Sequence, residues 1–218
     1  GTQFYNGSGV SSAPNHLDSC YKLLIKNTAT GFLTLTGDAT VRELEIEASG
    51  KLVIESGRKL EVINGILLNG DLRLTGTSQL LQLHDGTTQV SGGGKLLVDQ
   101  EGTTTNVYQS SYWTSPVSTN GSIFTPITIS GRWLAKLIST VDWTREIDPT
   151  EMIFKPGEGW NMKSTGSGIQ NFTFKGIPND GVYTSIISQN TLSLIGNPYP
   201  SALDSDKFIA DNSSVITG

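Results

Sequence analysis

The chain has 218 residues, with only 16% charged side chains, 25 glycines and a formal net charge of −5. That balance supplies no basic stripe to release counterions from phosphate, which excludes nucleic acid as a partner, and no apolar run approaches the roughly 18 residues needed to cross a bilayer, so no membrane insertion is expected. Cys20 is the single cysteine, which rules out an intrachain disulfide and a thiolate zinc site.

The opening at Gly1-Thr2 reads as a processed or engineered start, so the missing signal peptide does not argue for the cytoplasm. The first 20 residues are polar and rich in turn formers, with bends expected at Asn6-Gly7-Ser8-Gly9 and Ala13-Pro14-Asn15. They are predicted to lead into the first rung of the following repeat and to cover it, since an uncapped stack exposes strand edges. Cys20, beside Tyr21 and Leu23, reads as a small packed apolar residue. A secreted animal domain would more often carry disulfides, so the composition fits an extracellular bacterial protein better.

Strands are predicted at Leu23 to Lys26 and Phe32 to Thr36, and from residue 44 to 97 a regular texture takes over. Leu44, Leu52, Leu60 and Leu68 fall at steps of eight, and Gly50, Gly57, Gly65, Gly70 and Gly76 punctuate the same stretch. Each unit reads as a short strand whose apolar residues share one face, as in Leu44-Glu45-Ile46, with the alternate residue in water. Strands this short bury too little alone to offset the backbone ordering entropy, about 1–2 kcal/mol per residue, so they must stack. Three units make one turn of about 24 residues, which would stack Leu44 under Leu68 and Leu72 under Leu96. The expectation is an all-β chain that begins as a right-handed parallel β-solenoid with leucines inside and glycines at its corners. Hairpins are the competing arrangement, because Asn64-Gly65 and Asn69-Gly70 also suit tight antiparallel turns.

The texture changes at 99–105, a polar stretch read as the bridge between a solenoid with its N-terminal cap at 1–103 and a second unit at 104–218. All four tryptophans lie beyond it: Trp113, Trp133, Trp143 and Trp160. Longer antiparallel strands are predicted at 106–113, 123–129, 133–139, 159–163, 170–175 and 191–195, which a β-sandwich-like arrangement would bury. A short helix is expected after Pro200, capped by Ser201 or Asp204 and carrying Phe208 and Ile209.

The chemistry-bearing residues give no catalytic pattern. His16 and His84 have no metal-ligand spacing, and His84 beside Asp85 reads as decoration on a corner. No Gly-x-Ser-x-Gly elbow occurs, and Gly92-Gly93-Gly94 lacks the Lys-Ser/Thr of a phosphate loop. Glu45, Glu47, Glu55 and Glu61 alternate with core positions and read as a solvated face rather than a paired acid and base. Asn197, Asp204 and Asp206 could gather oxygens for calcium, although helix capping by Asp204 explains the aspartate more simply. No catalytic residue, metal ligand or cofactor is therefore expected. Trp143, Trp160 and Tyr199 are the candidates for a binding face, because flat rings stack on sugars and fill interfaces, and Trp143 lies in the most polar surroundings.

Several stretches resemble a known group. The passage from Leu44-Glu45-Ile46-Glu47-Ala48-Ser49-Gly50 into Lys51-Leu52-Val53-Ile54-Glu55-Ser56-Gly57 resembles glycine-punctuated β-solenoid segments of large secreted surface proteins of Bacteroidetes. The second unit carries further similar motifs: Tyr112 to Val117, Gly157 to Met162, Phe174 to Gly181, and, most specific, Leu194-Ile195-Gly196-Asn197-Pro198-Tyr199-Pro200 onward to Asp204. The resemblance implies export by the gliding-associated type IX route and an adhesin-like role at or outside the cell surface. Such modules continue into further strands and a C-terminal sorting domain, whereas this chain stops at Val215-Ile216-Thr217-Gly218. The ending reads as a truncation, with completion by a strand from another polypeptide as the alternative.

The sequence thus points to a non-enzymatic extracellular module in which a stiff solenoid displays a β-sandwich. Its partners would be other segments of the same surface protein, neighbouring surface proteins or a glycan. The alternative is a carbohydrate-binding or polysaccharide-degrading appendage.

Overall fold

A computed structural model describes residues 2–4, 13–26, 31–104, 106, 108–118, 134–137, 142–144, 155–163, 167–187 and 191–216. Two strands, β1 (Thr2–Phe4) and β2 (Lys22–Ile25), precede three turns of a parallel solenoid. The first turn is β3 (Leu33–Leu35), β4 (Ala39–Val41) and β5 (Glu43–Ile46). The second is β6 (Lys51–Ile54), β7 (Lys59–Val62) and β8 (Ile66–Leu68), and the third is β9 (Asp71–Leu74), β10 (Gln79–Gln82) and β11 (Val90–Ser91). Each wall is a parallel ladder: β1-β2-β5-β8-β11, β3-β6-β9 continuing into β12 (Lys95–Thr104), and β4-β7-β10.

Alternation decides which side chains go inside. Along the second wall Leu33, Leu52, Leu72 and Leu96 stand in register, as do Leu35, Ile54, Leu74 and Val98, and all eight are buried. The hairpin arrangement is thereby set aside. Turn length is not uniform, however. Leu72 does pair with Leu96, but Leu44 stands beside Ile66 and Ile46 beside Leu68, so the expected Leu44–Leu68 stack is off by one inward-facing position. Corners of different length explain this, because register follows the inward face and not a fixed residue count.

One corner shows why glycine is required. Gly50, Gly70 and Gly94 stack in a column where the Gly50 carbonyl accepts from Asp71 N–H at 2.9 Å and the Gly70 carbonyl accepts from Lys95 N–H at 3.1 Å. A Cβ on Gly70 would overlap the Gly50 carbonyl oxygen, and one on Gly94 would overlap that of Gly70. At the other end of the rod the 13–21 segment covers the third wall: the Asn15 carbonyl accepts from Thr40 N–H at 3.2 Å, and Tyr21 O accepts from Arg42 N–H at 2.8 Å. Cys20 in this segment is exposed, contrary to its expected packing, because Tyr21 and Leu23 turn inward without it.

The strand β12 is the joint. Its first four residues pair in parallel with β9, while Leu96 through Thr104 pair antiparallel with the long β17 (Gly168–Pro178). The stretch at 99–105 read as a polar bridge is thus mostly strand: residues 99–104 continue β12 along β17, beyond the 95–98 segment that pairs with the solenoid wall. Between β12 and β17 come β13 (Ser110–Trp113), β14 (Val117–Ser118), β15 (Leu134–Ala135) and β16 (Trp160–Lys163). β14 pairs with the end of β17, and β13-β16-β15 form a separate antiparallel sheet. That sheet packs on β17 through Trp113, whose ring meets Phe172 edge-on at 5.0 Å and Phe174 at 5.9 Å. Trp160, Met162, Phe172 and Phe174 belong to the same buried cluster as the solenoid leucines. The core therefore passes through the joint without a break.

Of the remaining predicted strands, 123–129 lies outside the described residues, as do Trp133 and the 6–9 bend. The one at 191–195 is reduced to a single bridge between Glu158 and Ile195. The helix appears as α1 (Ser205–Asp211), with the Asp204 side chain accepting from Lys207 N–H at 2.9 Å as the N-cap.

Candidate functional site: the end cap and an aromatic groove

The last turn of the solenoid is closed by two loops, 178–183 and 197–202. The Pro200 carbonyl accepts from Leu80 N–H on β10 at 2.9 Å, and Gln79 Oε1 accepts from Ala202 N–H at 2.9 Å. Asn179, fully buried, donates through Nδ2 to Ser115 O at 2.9 Å and to Pro198 O at 2.8 Å, so one side chain ties three loops together. Asn197 folds its own loop: Oδ1 accepts from Tyr199 N–H at 3.0 Å and Nδ2 donates to Ser201 O. The end of the 174–181 motif, beyond β17, and the 194–204 motif therefore supply the plug on the rod.

At the centre of the cap Asp180 Oδ2 accepts from Gln89 N–H at 2.7 Å and lies 2.9 Å from His84 Nε2, and both side chains are largely buried. Burial pushes the Asp180 carboxyl up, but the hydrogen bonds from Gln89, Gln82 and His84 outweigh it and hold the group below the ordinary aspartate range. The Asp180 N–H donates to the Tyr183 hydroxyl at 3.1 Å, while the Tyr199 hydroxyl donates to Gly181 O at 2.8 Å. Burial pushes both tyrosine hydroxyls upward. This His–Asp pair resembles half of a catalytic triad, yet it is arranged as a clamp. His84 Nε2 is spent on Asp180, and Nδ1 is 3.5 Å from its neighbour's carbonyl oxygen, so neither ring nitrogen is directed at a hydroxyl nucleophile. His84 is therefore not a bare corner decoration. Its partner lies 96 residues away, and nothing near either residue announces the pairing.

The carboxylates considered for acid–base chemistry are separated. Glu45 on the first wall pairs with Lys22, and Glu61 on the third accepts from Lys59 Nζ at 2.7 Å and from the Thr40 hydroxyl at 2.8 Å. Among the described residues no group of three or more His, Cys, Asp and Glu is placed to hold a metal ion.

The three ring candidates have different fates. Trp160 is fully buried, which corrects its assignment to a binding face: it lies opposite Trp113 across the β13–β16 ladder and fills the core. Tyr199 is half-buried in the cap with its hydroxyl engaged. Trp143 is half-buried as well, and its ring stacks on Tyr112 with centroids 6.0 Å apart and planes 8° from parallel. Tyr112 is the ring that faces water, at 68% exposure. Its position was legible from alternation with Trp113 along β13, which sends one inward and the other outward.

Tyr112 stands at a groove of about 620 Å³ between the solenoid corner at 76–79, β12, β13 and the 197–202 loop. Gln79, Gln100, Glu101 and Thr114 supply polar groups, Tyr199 contributes to the loop side, and Trp113 lines the groove with its buried Nε1 lacking a hydrogen-bond partner.

The geometry thus defines a class: a capped, three-walled β-solenoid fused through one strand to an antiparallel, sandwich-like unit. The chain belongs to the family described as a domain of unknown function, DUF8693, which matches residues 11–218 and so takes in solenoid, joint and cap together. Comparison with curated proteins and with solved structures returns no match. No helix among the described residues is long and apolar enough to cross a membrane.

Proposed function

We propose that the chain is a non-enzymatic, extracellular structural module of a larger cell-surface protein, of the adhesin-like, type IX-exported kind that its motifs resemble. Its work is mechanical: it holds the antiparallel unit at a fixed distance and angle from whatever precedes the solenoid. The observation that carries this reading is the shared strand β12, which is hydrogen-bonded on one side to the solenoid and on the other to β17. A hinge at that place would need a linker with few contacts across it. Here backbone ladders and a continuous core cross it instead. The clamp-like use of His84 and Asp180, and the dispersal of the surface carboxylates, support a non-catalytic role.

Small-angle X-ray scattering tests the mechanical claim. A single rigid particle is expected, with one maximum dimension that does not change between low and high salt; a profile requiring two bodies in variable orientation overturns it. Antibody labelling of intact against permeabilised cells of the source organism tests the location, and labelling confined to permeabilised cells overturns that part.

A further inference from the structure

We infer that the Tyr112 groove binds a neutral, β-linked hexose chain. The inference rests on the display reading in one respect, that the groove sits on a rigid carrier. Three observations point to a sugar. First, Tyr112 exposes a flat face while Trp143 backs it nearly parallel, so the ring is held in place before any ligand arrives. Sugars whose hydroxyls are all equatorial present a flat patch of axial C–H groups, and such a patch packs on an aromatic ring with its positive edge atoms against the negative face.

Second, the polar groups beside the ring are those that read hydroxyls. Gln100 offers a carboxamide and Glu101 a carboxylate, and both residues are exposed. Small-molecule sites combine this kind of apolar platform with a few convergent polar groups. Third, the charge selects against acidic glycans. Glu101 is the single charged side chain among the described residues lining the groove, and the chain as a whole is negative, so an acidic polysaccharide would meet repulsion without a lysine or arginine to offset it.

Isothermal titration of the whole chain with cellohexaose and laminarihexaose, and with hexagalacturonate as the acidic control, tests this. Saturable binding of at least one neutral oligosaccharide below about 1 mM is expected. Tyr112→Ala should weaken it by about tenfold or more, and Tyr112→Phe should keep it within about twofold, since the ring and not the hydroxyl makes the contact. Tyr112 is largely exposed, so both variants are expected to melt with the parent and to scatter as the same particle. No saturable binding of either neutral sugar, binding unchanged in Tyr112→Ala, or binding confined to hexagalacturonate each overturns the inference while leaving the rigid-carrier reading intact.

Discussion

The Arg73 guanidinium holds the Asp99 carboxylate through Nε at 2.7 Å and Nη2 at 3.1 Å, and the Thr173 hydroxyl donates to the same carboxylate at 2.8 Å. These residues stand on β9, β12 and β17, so one carboxylate fastens the last full rung, the joint and the antiparallel unit. Asp99 is nearly buried and Arg73 about one-third exposed, which places the pair between a surface bridge and a buried one. A double-mutant cycle of Arg73→Met and Asp99→Asn, read by urea denaturation, should give a coupling of about 1–2 kcal/mol. Coupling indistinguishable from zero would show that the ladders alone hold the joint.

The glycine column makes a sharper claim. Gly70→Ala places a Cβ against the Gly50 carbonyl oxygen, and backbone on both sides leaves it nowhere to go. A loss on the order of 2 kcal/mol or more is expected, whereas Gly37→Ala, with nothing within 4 Å, should change stability by less than about 0.5 kcal/mol. Thermal melts of the two variants side by side decide the matter.

Asn179→Ala removes both donors that tie Ser115 and Pro198 to the plug. With two buried carbonyls left unmet, a cost of about 2–4 kcal/mol is expected. Hydrogen exchange should localise it, with the amide of Leu80 losing protection before those of β6 and β7, because Leu80 donates to the plug itself.

Acid should loosen the same plug. The Asp180 carboxyl titrates below its ordinary value of 3.8 in the folded chain, so its stabilising effect is complete above that value and is lost as pH falls through the lower, folded one. Melting temperature is therefore expected to drop below about pH 4, and Asp180→Asn should lower it at pH 6 while flattening that acid limb. An acid limb of the same steepness in the variant would assign the effect to other carboxylates.

Trp160 and Tyr112 should separate core from surface. Trp160→Ala is expected to cost about 3–5 kcal/mol, because it empties a fully enclosed site, while Tyr112→Ala should stay within about 0.5 kcal/mol of the parent. Equal losses would mean that Tyr112 is part of the packing and not a free platform.

The solenoid was readable because its signal is local: alternate aliphatics a few residues apart and glycine at the turns are enough to fix the inward face. Where reading failed, the deciding partner was remote. The spacing of Leu44 and Leu68 suggested a stack that unequal corners displace to Ile46 and Leu68. His84 meets Asp180, and Asn179 meets Ser115 and Pro198, over separations that no period connects. The motif at 194–204 was conspicuous in sequence, but what makes it so is closure of the rod, since Asn197 builds its loop and Pro200 covers the edge of β10. Sequence reasoning favours Trp160 for its ring and passes over Tyr112, yet strand pairing encloses the first, while alternation with Trp113 opens the second to water.

Because β17 engages nothing of the second wall beyond β12, the remainder of the chain is indifferent to how many rungs lie upstream. Duplicating or deleting a rung between Gly50 and Gly70 would lengthen or shorten the reach in increments of about 4.8 Å, the strand spacing, without altering the fitting at the tip. Reach and fitting can therefore diverge independently within this architecture, much as a handle can be recut without touching the tool it carries.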